Sequence, residues 1–201
     1  MTRDEFIDIL VLARSSEQQH IFAQKYLFHG IPFVFREREN EYYEFRKKIA
    51  DKFKVGFHEV FIVGSAKLGF SYHKMSLFSY DSDIDVVIVN EKLFEEFYLK
   101  ITDYQYQLDR FYRTINKTEL KVYNEFLRYL VKGWMRPDKL PLSFQISLLK
   151  TEWFDFFNSL SYGRSEVGNY KVNAGLFKNY DYLSKYYTTS IEDTINSINI
   201  N

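Results

Sequence analysis

The sequence predicts an α+β fold in which helices dominate and a small sheet carries the chemistry. Three observations predict it. Apolar residues recur at helical spacing over most of the chain. Two short runs rich in β-branched residues, 58–63 and 83–89, break that pattern and read as strands. No repeat or low-complexity linker divides the 201 residues, so the chain fits one domain. Its core is expected over 40–140, followed by a helical C-terminal region over 141–201.

The elements follow from local signals. Thr2 and Glu5 match a capping box, and Phe6, Ile9, Leu10 and Ala13 continue a helical stripe. A second helix is expected from Ser16 to Phe28, stopped by Gly30 and Pro32. Tyr42, Phe45, Ile49 and Phe53 mark a third helix. After the strand at 58–63 comes an aromatic-rich stretch, Ala66 to Ser82, and then the strand at 83–89. Leu93, Phe94, Phe97, Tyr98 and Ile101 mark one later helix, and Leu120, Tyr123, Leu127 and Leu130 another, ended by Gly133. Trp153, Phe156, Phe157 and Leu160 fall at i, i+3, i+4, i+7. The same reading takes Leu176, Tyr180, Leu183 and Tyr187 as the stripe of a final helix.

Composition excludes several classes of function. Apolar residues make up 46% of the chain and aromatics 19%, which argues against general disorder. Lys+Arg and Asp+Glu balance at 27 each, so a bulk electrostatic nucleic-acid binder is not expected. With no cysteine, disulfides and thiolate metal sites are ruled out. His20, His29, His58 and His73 lack zinc-ligand spacing. Apolar runs end before membrane-spanning length, and acid stands at positions 4 and 5, so no membrane partner and a cytoplasmic location are expected.

The chemistry concentrates in Ser82-Asp83-Ile84-Asp85-Val86-Val87-Ile88-Val89. Period-two alternation puts Asp83 and Asp85 on one strand face, about 7 Å apart along the backbone. Two carboxylates so close repel, and a hard divalent cation such as Mg2+ suits them, with substrate phosphates as further ligands. Upstream, Val60-Phe61-Ile62-Val63 ends in Gly64-Ser65. Glycine lets backbone approach a phosphate, and a helix start favours anions. Lys67 is a candidate phosphate contact, against the plain alternative of a solvated lysine. Ser82 reads as a strand-entry residue that orients the aspartates. An Asp-x-Asp alone would suggest only an acidic strand start. Followed by a buried β-run, its inward charges need a ligand to offset desolvation.

Gly64-Ser65 followed by Asp83-Ile84-Asp85 on an apolar strand resembles the DNA polymerase β-like nucleotidyltransferase superfamily over about 57–90. The resemblance implies a small mixed sheet packed with helices. It further implies a triphosphate held at Gly64 and Ser65, and two Mg2+ ions (or Mn2+) held by Asp83 and Asp85. The implied reaction is template-independent transfer of a nucleoside monophosphate from an NTP or dNTP to a hydroxyl. Two departures stand out. The Ser65–Asp83 spacing, 17 intervening residues, is long for the family, so 69–74 forms either an insertion over the site or a surface loop. The family's third carboxylate also has no clear counterpart. Asp138 is one candidate, with a turn acid as its plainer reading, and Glu152 and Asp155 are weaker.

The run from Phe61 to Ser71, with the tyrosine-rich C-terminus, is more narrowly similar to the nucleotidyltransferases of Hailong-type anti-phage defence. That similarity implies dATP as substrate, a single-stranded oligonucleotide product, an effector protein encoded alongside, and a tyrosine as priming hydroxyl. Tyr187 is the candidate primer, although it also continues an apolar stripe; Tyr182 and Tyr186 are similarly ambiguous. Two alternatives stay open: an antitoxin-like enzyme that nucleotidylates a protein, and a catalytically silent nucleotide-binding module.

Overall fold

The computed structural model describes residues 1–74, 76–140 and 147–199. Helix α1 (Arg3–Leu10) begins with the expected capping box of Thr2 and Glu5. Helix α2 (Ser16–Phe22) runs into a π-helical stretch (Ala23–Phe28), and Gly30 follows at positive φ. Helix α3 (Glu39–Phe53) leads to strand β1 (Val60–Val63), which passes directly into the short helix α4 (Gly64–Leu68). Strands β2 (Phe70–Ser71) and β3 (Ser76–Leu77) pair as a two-stranded hairpin within the long Ala66–Ser82 stretch.

Strand β4 (Ile84–Val89) is followed by helix α5 (Glu91–Asp109), capped by Asn90, whose Oδ1 accepts from the Leu93 N–H at 2.8 Å. The same Asn90 amide donates to Glu59, just before β1, at 3.0 Å. Helix α6 (Lys117–Val131), strand β5 (Trp134–Met135), helix α7 (Ser147–Ser159), strand β6 (Val172–Phe177) and helix α8 (Tyr180–Asn199) complete the described chain. The expected α+β class and mixed sheet are both present.

The sheet order is β1-β4-β6-β5, with β4 and β6 parallel and the other two pairs antiparallel. Strand β6 corrects the expectation for the C-terminus: Leu176 lies in a strand, and the final helix starts at Tyr180. Val172-Asn173-Ala174-Gly175-Leu176-Phe177 is a weak strand former by composition, holding asparagine, alanine and glycine. Its conformation comes from its place between β4 and β5.

Alternation sorts the sheet's side chains into two cores. Val60, Ile62, Ile84, Val86, Ile88, Val172 and Leu176 face the core built with α3, α5 and α7. Val63, Val87, Val89 and Phe177 face the one built with α1, α2 and α8. Asp85 falls on the second face, at the end of β4 where the apolar packing stops.

Candidate active site

Antiparallel pairing sets Val63 opposite Asp85, so the turn at Gly64 abuts the second aspartate. Gly64 has φ +65°, and a Cβ built on it would lie 3.1 Å from Asp85 Oδ2. Any other residue would be strained in its backbone and pressed against the carboxylate. Backbone conformation and the close carboxylate both favour glycine here.

Parallel pairing sets Asn173 beside Asp85, on the same face as both aspartates. The Asn173 amide donates to Asp83 Oδ2 at 2.8 Å. A neutral amide therefore stands beside the two carboxylates on the adjacent strand. The weak strand character of 172–177 hid this position from sequence reasoning.

Asp83, Asp85 and Gly64 line one cleft of about 430 Å3. Lys74 from the β2–β3 turn, Arg136 after β5 and Lys171 before β6 line it too. Trp134, stacked on Phe177 at 5.7 Å and edge-on to Tyr186 at 5.3 Å, forms an aromatic wall. Such rings can hold a planar ligand by stacking.

The site pushes the Asp85 carboxyl up to about 6, well above the ordinary aspartate value. Burial is the main cause and the negative charge of Asp83 the second, while Arg136, Lys74 and Lys171 pull the other way. The carboxylate is open to the cleft along one side, yet protein encloses it on the others and thins the shielding water.

The other sequence-derived candidates divide. Ser65 is half-buried in the first turn of α4, beside Gly64 but not among the residues lining the cleft. Lys67 is turned away: buried, it donates to the carbonyls of His29 and Gly30, the latter at 2.8 Å, and burial lowers its pKa to about 8. Ser82 accepts from the Ser79 N–H at 3.0 Å, a turn contact that sets the entry to β4. Tyr187 lines the cleft but is 9% exposed, and burial pushes its phenol pKa well up. Tyr186, 40% exposed, presents the more open phenol to the same cleft. Asp138 falls in a single 3-10 turn (Pro137–Lys139), and its side chain lies outside the described residues.

Asp83 and Asp85, two carboxylates on one strand face, are the residues that could hold a hard cation. Among the described residues no group of three or more acidic or histidine side chains is placed to hold a metal ion. No helix of the described residues is long and apolar enough to cross a membrane. No family model matches the chain, nor does any curated protein or solved structure.

Proposed function

We propose that this protein is a Mg2+-dependent nucleotidyltransferase, moving a nucleoside monophosphate from a triphosphate to a hydroxyl with release of pyrophosphate. One observation carries the reading: the Gly64 turn touches Asp85, in a cleft that also holds Asp83 and three cationic side chains. Carboxylates for a metal, cations for phosphates and aromatic rings for a base are the parts that such a transfer needs. A divalent ion bound at Asp83 and Asp85 would help ionise the acceptor hydroxyl and neutralise the departing pyrophosphate. The chain's own part is to hold that pair of carboxylates, to orient Asp83 through Asn173, and to keep the α-phosphate beside them.

The acceptor is the open half of the reading. An oligonucleotide end, a partner protein and a tyrosine of this chain are all chemically competent. Among its own hydroxyls, Tyr186 is better exposed to the cleft than the buried Tyr187. Asn173, where a third carboxylate would stand, favours a second reading: a nucleotide-binding module without turnover.

Incubating purified protein with Mg2+ and each labelled NTP and dNTP separates the two. Pyrophosphate release that disappears in Asp83→Ala and Asp85→Ala supports the transferase. Binding without turnover of any nucleotide supports the silent module. A labelled product that resists protease identifies an oligonucleotide over a modified protein.

A further inference from the structure

We infer that Lys74, Arg136 and Lys171 bind the polyphosphate of the cleft's ligand, supplying the charge neutralisation that a second divalent cation would otherwise supply. The inference deepens the nucleotide reading and rests on it only in expecting a polyphosphate.

The three cations come from separate parts of the chain and meet at one cleft. Lys74 sits in the hairpin turn, Arg136 follows β5, and Lys171 immediately precedes β6. The Lys171 backbone is pinned, its carbonyl accepting from the Ile84 N–H at 2.8 Å between the two aspartates. All three act on the charge of Asp85. Lys74 and Lys171 are exposed and form no ion pair among the described residues. Among the described residues, Asp83 and Asp85 share this cleft with the three cations, in a space large enough for a ligand.

Asn173 supplies the reason the cations are needed. A third carboxylate beside Asp83 would call for a second divalent ion to offset three like charges. The amide carries no charge, and its N–H already satisfies Asp83. Asp83 and Asp85 can anchor one divalent ion, but no third acid among the described residues is placed to anchor another. A polyanion would then rely on protein cations, which give charge-assisted hydrogen bonds to phosphate oxygens.

The test uses inorganic tripolyphosphate, which has no base or sugar, titrated calorimetrically into the full chain in EDTA. Wild type should bind without metal, more weakly as salt rises. Lys74→Ala and Lys171→Ala should each bind about tenfold more weakly, with unchanged far-UV circular dichroism. Unchanged affinity in both variants, or no binding until metal is added, overturns the inference.

Mn2+ counted by electron paramagnetic resonance, with tripolyphosphate present, should give one ion per wild-type chain and two in Asn173→Asp. Two ions in wild type overturn it equally. Should Asn173→Asp not fold, the lysine variants and the wild-type count still decide. Metal-free tripolyphosphate binding in a protein that turns over no nucleotide would keep this inference and remove the transfer reading. Turnover in a protein that needs two ions to hold tripolyphosphate would do the reverse.

Discussion

Gly64 and Asp85 show how one residue's chemistry depends on another's shape. Without a Cβ, the glycine leaves room for the Asp85 carboxylate, whose pKa burial and the Asp83 charge raise to about 6. A carboxyl whose folded pKa exceeds its unfolded value of about 3.9 weakens the fold while it is ionised. The penalty is absent below about pH 4 and complete above about 6. Asp85→Asn in EDTA should therefore raise the melting temperature at pH 7 by about 2–4 °C, allowing for the solvent that reaches the group. The gain should vanish by pH 4; an equal gain at both pH values would refute the linkage. The same exchange should abolish turnover, a stability gain at the cost of function. Asp83 and Asp85 were legible in the sequence because their spacing alone sets both on one strand face, while Gly64 was legible as a turn and reaches them through the β1–β4 pairing. Lys67 was misleading, since nothing in its neighbourhood along the chain shows that the carbonyls of His29 and Gly30 await it.

At the scale of elements, the β2–β3 hairpin brings Lys74 to the cleft, and α8 holds that hairpin in place. His73 Nδ1 lies 2.9 Å from Thr194 Oγ1, and Nε2 lies 2.7 Å from Ser190 Oγ. The Thr194 hydroxyl donates to the Ser190 carbonyl, so it accepts from Nδ1–H and leaves Nε2 to accept from Ser190. That arrangement needs a neutral ring. Burial lowers the His73 pKa, partly opposed by the nearby Asp193 charge. A histidine depressed in the folded state contributes stability above about pH 6.5, lost as pH falls through its folded pKa. Amide exchange in 70–77, corrected for intrinsic rate, should therefore be faster at pH 5 than at pH 7. His73→Leu should remove that difference; its persistence would assign the effect elsewhere. The hairpin and β6 were not legible beforehand. Two-residue strands carry no periodic signal, and β6 is a strand because of its neighbours.

Across the whole molecule, the sheet is the partition between two cores, and the candidate site sits where one of them gives way to solvent. Phe45, with no exposed surface, packs on α3 against the core opposite the aspartates. Phe45→Ala should cost about 3–5 kcal/mol by urea unfolding with an unchanged slope. That is a large share of a typical 5–15 kcal/mol total, so a loss below about 1 kcal/mol would contradict this account of the core. The sequence by itself determined the α+β class, most of the helices, strands β1 and β4, and the placing of Asp83 and Asp85 on one strand face. These rest on interactions between residues close in the chain: capping, periodicity and strand alternation. Only the tertiary structure decided that β6 lies parallel to β4, that Asn173 fills the place beside Asp83 and Asp85, and that Lys74, Arg136 and Lys171 converge on them. Those choices come from pairings across tens of residues, where the sheet's order and not local preference sets what each side chain meets.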